Sequence, residues 1–203
     1  MTELLAVITL TLLAVISPGP DFAMVSRNSL QLSRRAGLLT ALGIGLGVLV
    51  HVGYTLFGVG LLVRQSVWLF GLLKLAGAGY LVFLGIRMLR SRPDDGSPGP
   101  DSAPALSDIA ALRTGFLTNA LNPKTMVFVV SLFLQAVRPD TPLSVQAGYG
   151  AFIAVAHVVW FALVALFFSA GTVQGRLLKI RHRIDHVFGA VLIGFGMLLV
   201  SPA

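Results

Sequence analysis

Two long apolar runs in this chain are each interrupted near their middle by a proline motif, Ser17-Pro18-Gly19-Pro20-Asp21 and Asn122-Pro123-Lys124. A proline inside a helix removes a backbone N–H and collides with the preceding turn. The residue before it avoids helical angles. How much such breaks constrain the fold depends on the solvent, and composition identifies the solvent. Apolar residues make up 56% of the 203 and charged residues only 11%, against about 25% charged in soluble domains. A water-facing surface cannot be built from that, so the expected class is an all-α integral membrane protein. In lipid, freed backbone groups are tolerated only where protein or a water-filled cavity satisfies them. Both breaks must therefore face the interior.

A helix crossing the bilayer core needs about 20 apolar residues. Six spans are predicted: Leu4 to about Met24, Gly37 to Val63, Trp68 to Met88, Thr114 to Val137, Val145 to Ala170, and Val187 to Val200, the last extended if Ile184 joins it. The first and fourth carry the breaks, and the first is either a full crossing or re-entrant. The N-terminal run begins with Glu3, lacks a basic start and ends in Pro-Gly-Pro, which does not fit a cleavable signal peptide. Of the fifteen Lys and Arg, eleven fall at the first, third and fifth connections, against Arg64 and Arg138 at the others. The positive-inside rule then puts both termini outside the cytoplasm. The net charge of +7 reads as this orientation bias and not as a nucleic-acid patch.

The stretch Ser91 to Asp108 holds four prolines and four aspartates and reads as a cytoplasmic linker. One membrane transport domain, 1–203, is thus expected as repeat one (1–90), linker (91–112) and repeat two (113–203). Sliding the halves by 105 residues puts Ser17-Pro18 on Asn122-Pro123, Gly43 and Gly45 on Gly148 and Gly150, and His51 one residue from His157. Three spans per repeat force the copies into opposite orientations. Two inverted three-helix repeats with helices 1 and 4 broken at matching positions are a transporter pattern, with the site near the bilayer midplane.

Each break predicts a local structure. Ser17 is expected to cap a new helix with Pro18 at its first position, and Asn122 to cap one begun by Pro123. A helix start suits a carboxylate, and the carbonyls of the preceding helix end suit an ammonium group, so together the breaks could hold an amino-acid zwitterion. The competing reading is a kink used only for packing. The expected substrate-binding residues are Ser17, Pro18, Gly19, Pro20, Asp21, Asn119, Asn122, Pro123 and Lys124. Asp21 could meet a substrate ammonium or carry a proton, or be a first-turn acid favoured by the helix dipole. Lys124 could meet a substrate carboxylate or Asp21, or snorkel to the cytoplasmic face. His51 and His157 lie within spans and join Asp21 as proton-coupling candidates, with packing as the alternative role. The small-residue face Gly43-x-Gly45-x-Gly47 suits packing within a subunit or between subunits, which leaves homo-oligomerisation open. The pentapeptide Ser97-Pro98-Gly99-Pro100-Asp101 repeats residues 17–21 letter for letter, but with no apolar run around it, and no role is assigned to it.

These residues carry a resemblance. Ser17-Pro18-Gly19-Pro20-Asp21-Phe22, Leu117-Thr118-Asn119 with Asn122-Pro123-Lys124, Gly77-Ala78-Gly79-Tyr80-Leu81, and Ile184-Asp185 with Gly189 and Gly194-Phe195-Gly196 resemble the LysE (lysine exporter) superfamily, in its homoserine/threonine-exporter branch. The aspartate form of the first motif looks closest to the threonine efflux group. The resemblance implies a bacterial inner-membrane exporter of amino acids driven by the proton-motive force, with protons, an amino acid and the lipid bilayer as its partners and no cofactor or resident metal. The scarcity of intramembrane charge favours a threonine- or homoserine-like, or other small neutral, amino acid over a basic one. Three other classes compete. A divalent metal-ion exporter would need several oxygen or imidazole ligands, and the spans offer Asp21, His51 and His157. A thiol-redox membrane enzyme needs cysteine, of which there is none, and no span serine has the context of a protease nucleophile. A purely structural assembly factor would have little use for two polar breaks.

Overall fold

The structure is a computed structural model that describes residues 2–17, 19–57, 67–90, 107–138, 140–171 and 181–200. Pro18, Arg64, Arg176, Lys179 and the linker with its second Ser-Pro-Gly-Pro-Asp lie outside the described residues. Within them the chain is helical, without strands: α1 Thr2–Ile16, α2 Pro20–Gln31, α3 Arg34–Leu56, α4 Val67–Leu89, α5 Asp108–Ala120, α6 Pro123–Ala136, α7 Leu143–Phe168 and α8 Arg181–Val200. Two helices, α3 and α7, are each long and apolar enough to cross a membrane. The pairs α1–α2 and α5–α6 qualify as broken spans, bent by 56° and 57°. That gives two to four spans among the described residues, not the full set of six.

The molecule is apolar on the outside, as lipid requires. On α7, Val155, Val159, Leu163 and Phe167 recur every fourth residue and are all more than half exposed, while Ile153, Ala154, His157, Phe161 and Ala165 on the opposite side are buried. Leu42, Leu46 and Leu49 make a similar outward stripe on α3.

Helix α3 lies between α5 and α7, and its glycines sort by face. Gly43 and Gly47, four residues apart, approach α5, Gly43 at the Leu112 and Phe116 backbone and Gly47 at the Asn119 side chain and the Ala120 backbone, whereas Gly45 meets Val158 of α7. Gly115 returns the contact from α5, where an added Cβ would collide with the Thr40 carbonyl. The glycine face is therefore used within the subunit. Bonding fixes the directions of the helices. Arg35 bonds Asp108, Thr40 reaches the Ala111 carbonyl, and His51 reaches the Asn119 carbonyl, so α3 and α5 run parallel. Gly37 faces Ala165, Gly45 faces Val158 and Val52 faces Gly150, so α3 and α7 run antiparallel. Helix α4 packs on α8 through Gly85 and Gly189, each set against the other's carbonyl.

Several expected boundaries move. The first apolar run does not end near Met24, because α2 continues to Gln31. Its sequence is polar, yet nine of its twelve residues are buried, among them Asp21, Ser26, Asn28 and Ser29. A half-helix enclosed by other helices needs no apolar surface for lipid, so hydropathy misses its end. Arg27, expected in a connection, sits within this helix, and only Leu32 and Ser33 separate α2 from α3. Helix α3, the second predicted span, ends at Leu56, and α5 starts at Asp108, six residues before the expected Thr114, with Ser107 accepting from the Ala110 amide as its cap.

Candidate functional site

The two breaks meet at the centre of the molecule. At the second, Asn122 caps α6 as the Asn-Pro pattern predicts: its side-chain oxygen accepts from the Lys124 amide at 3.0 Å, and Pro123 opens the helix. At the first, the expected cap is corrected. Helix α2 begins at Pro20, with Gly19 as the capping residue in extended conformation and without a side-chain cap bond. Ser17 instead presents its carbonyl to the Lys124 ammonium at 2.7 Å. The second proline of Pro-Gly-Pro takes the first helical position because its missing N–H costs nothing there. A Cβ on Gly19 would stand 3.5 Å from the Lys124 Nζ, an ordinary contact, so the lysine lies directly against the break.

Asp21 is the centre of the site. Its Oδ2 accepts from Asn119 Nδ2 at 2.9 Å and from Asn122 Nδ2 at 3.2 Å. These two asparagines stand on either side of the opposite break, and both are buried, as Asp21 is. Asn119 Nδ2 also donates to Thr125 Oγ1 at 3.2 Å. The other carboxylate oxygen of Asp21, and Oδ1 of Asn119, are buried without a hydrogen-bond partner. Leaving such atoms unpaired is costly, so they mark a place for a ligand's donors.

Each histidine has its own partners. His51 Nε2 lies 2.9 Å from the Asn119 carbonyl and Nδ1 lies 2.6 Å from the Tyr54 hydroxyl. A carbonyl only accepts, so Nε2 carries the hydrogen and Nδ1 accepts from the tyrosine. His51 thus grips the last turn of α5, the turn that aims Asn119 at Asp21. His157 Nδ1 lies 2.8 Å from the Ile153 carbonyl one turn back and by the same logic donates to it, so Nε2 is the acceptor.

A cavity of about 20 Å³ sits between the breaks, lined by Ser17, Gly19, Asp21, Asn122, Lys124, Thr125 and His157 on its polar side and by Val15, Phe22, Phe128 and Phe161 among its apolar walls. That is room for one water molecule. A wider groove of about 510 Å³ runs beside it between α1 and α6 and shares Ala14, Ser17, Lys124 and Phe128 with it. Of the predicted binding residues, Ser17, Gly19, Asp21, Asn122 and Lys124 line the cavity, Asn119 reaches it through Asp21, and Pro20 and Pro123 shape the helix starts. His157 is at the cavity wall, while His51 stands behind Asn119. Thr125 was not foreseen. The signal was its place three residues after Asn122, on the same helical face.

Asp21 is the one carboxylate among the described residues that line the cavity. No group of three or more potential metal ligands occurs among the described residues, which gives the metal-cargo alternative no support.

Comparison with known proteins agrees across the chain's length. The sequence profile described as LysE type translocator matches residues 12–202. The threonine efflux protein of Escherichia coli (strain K12) is 33% identical over 199 residues, covering 97% of this chain and 96% of its own. The threonine efflux protein of Salmonella typhi is 32% identical over 192 residues, 93% of each chain. The membrane protein YrhP of Bacillus subtilis is 26% identical over 205 residues, 97% of this chain and 98% of its own. No solved structure matches.

Proposed function

This chain belongs to the LysE type translocator family and is a multi-pass membrane transporter for amino-acid export, and we propose that it exports a threonine- or homoserine-like, or other small neutral, amino acid from the bacterial cytoplasm across the inner membrane, driven by protons. The carrying observation is the Asp21 carboxylate, held on one oxygen by Asn119 and Asn122 of the other break and unpartnered on the second. In this reading the substrate ammonium meets that second oxygen and His157 Nε2. The substrate carboxylate meets Lys124 and the first-turn amides of α2, where the helix dipole favours an anion. One carboxylate and one ammonium on the protein match a zwitterion in charge. A basic substrate would bring a second cation with no second acid among the described lining residues to receive it.

The cavity has room for one water, so the amino acid enters in a conformation where the two half-helix pairs move apart. With six spans in two inverted repeats, movement of one repeat against the other exposes Asp21 to each face in turn. Asp21 carries the coupled proton, His51 steadies Asn119 during the movement, and His157 shares the proton or the ammonium. The eleven-to-two distribution of basic residues supports termini on the periplasmic side.

The test is an efflux screen. Cells expressing the protein are loaded with dipeptides of each amino acid in turn, and the free amino acid is followed in the medium. Faster export and relief of toxicity are expected for threonine, homoserine or a small neutral relative. No response to any amino acid sinks the proposal.

A further inference from the structure

Two ion-pair clusters away from the central site mirror each other. At the start of α1, Glu3 Oε1 accepts from the Arg138 backbone amide at 2.9 Å, from its Nε at 3.0 Å and from Thr141 Oγ1 at 3.0 Å. Glu3 Oε2 lies 3.1 Å from the same hydroxyl and accepts from the Tyr149 hydroxyl at 3.4 Å, and Asp140 sits 3.5 Å from the same guanidinium. At the start of α5, Asp108 receives two parallel bonds from Arg35, Nε to Oδ1 at 2.9 Å and one terminal nitrogen to Oδ2 at 2.6 Å. Glu3 and Asp108 stand 105 residues apart, the same offset that relates Ser17 to Asn122. Arg138 and Arg35 stand 103 apart, each just beyond the half-helix that follows a break. In each cluster the acid opens a repeat's first helix, and the arginine comes from the other repeat.

The clusters lie at opposite ends of the molecule. Arg35 and Asp108 are at the N-terminal end of α3. Glu3 binds Tyr149, next to Gly150, and Gly150 packs on Val52 near the C-terminal end of α3. The seventeen residues from Arg35 to Val52 span about 26 Å of helix at about 1.5 Å each, close to the thickness of the bilayer core. One cluster therefore closes each membrane face, and both are formed here around a cavity of about 20 Å³. The arginines are mostly exposed, at 77% and 72%, and Arg35–Asp108 is a surface pair of the weak kind, which suits a contact that must break once per cycle, while the 15% exposed Glu3 makes the firmer latch.

We infer that Glu3–Arg138 and Arg35–Asp108 are a reciprocal pair of gate latches, one per membrane face, and that release of either opens the central cavity to its own face alone. The inference rests on the alternating-access reading above, but its test needs no transported substrate.

The chain has no cysteine, so Val15→Cys, at a buried position on the cavity wall, places a single reporter thiol there. Its labelling by a membrane-impermeant maleimide is timed from each side in vesicles of both orientations. Adding Glu3→Gln should speed labelling about tenfold, the shift expected from losing one charge-assisted hydrogen bond, from the face where α1 begins and not from the other. Adding Asp108→Asn should speed labelling from the opposite face by about threefold, as an exposed pair allows. Arg138→Gln and Arg35→Gln release the same latches from their other partners and serve where an acid variant fails to fold. The swap Arg35→Asp with Asp108→Arg should restore slow labelling. Unchanged rates in folded variants, or variants of both clusters responding from one and the same face, overturn the inference. Failure of the efflux screen with side-specific labelling intact would remove the substrate assignment and leave the latches standing.

Discussion

Asp21 concentrates the chemistry because it is an acid buried away from bulk water and lipid. Two asparagine amides occupy one oxygen and nothing occupies the other. In the Asp21→Asn protein the side-chain carbonyl can still accept from Asn119 and Asn122, so the fold should hold while the titratable charge is lost. Uphill export driven by an imposed proton gradient in proteoliposomes should then fall at least about tenfold, the effect of losing one charge-assisted interaction, while downhill exchange of substrate continues. Full proton-coupled export by this variant would remove Asp21 from coupling. Asn122 has two duties, capping α6 and holding Asp21. Asn122→Ala should cost about 1 kcal/mol from the cap alone and more from the stranded carboxylate, read as a lower melting temperature in detergent. A melting temperature equal to the parent's would refute both duties. Asp21 and Asn122 were legible in sequence as polar groups at proline breaks. That both asparagines grip the same oxygen of an acid about a hundred residues away was not, because local pattern carries no information about partners across the chain.

Among the elements, the half-helices do what unbroken spans cannot. By stopping and restarting at the breaks, α1–α2 and α5–α6 bring helix starts and ends together, and the bends of 56° and 57° turn those ends toward one another. What holds them at this distance is the glycine-mediated contact of α3 with α5. A methyl group at Gly115 would strike the Thr40 carbonyl, whereas Gly148 has open space around it. Gly115→Ala should therefore cost about 1–3 kcal/mol of stability, as overpacking does, and Gly148→Ala should be close to neutral. Equal melting temperatures for the two would contradict the tight α3–α5 interface. The sequence showed a row of glycines on α3 but not which neighbour each face meets. Spacing alone puts Gly43 and Gly47 together and Gly45 opposite, while which neighbour each side meets depends on how three helices assemble.

At the scale of the whole molecule, the distribution of charge predicts the orientation. Eleven basic residues at or beside alternate predicted connections against two at the others predict that reporter domains fused at either terminus are active only outside the cytoplasm. One terminus alone found in the cytoplasm would refute the six-span count, and both found there would refute the assignment of sides. The sequence alone determined the membrane environment, the two breaks, the family and the chemical character of the site, because these depend on composition and on motifs only a few residues long. Tertiary structure decided that Gly19 and not Ser17 stands at the α2 start, that a polar half-helix is largely buried, that Asp21 faces both asparagines, and that Glu3 meets Arg138 and Asp108 meets Arg35. Those outcomes depend on which surfaces come into contact when distant helices pack, and hydrogen bonds spanning about a hundred residues are set by that packing and not by any local preference of the chain.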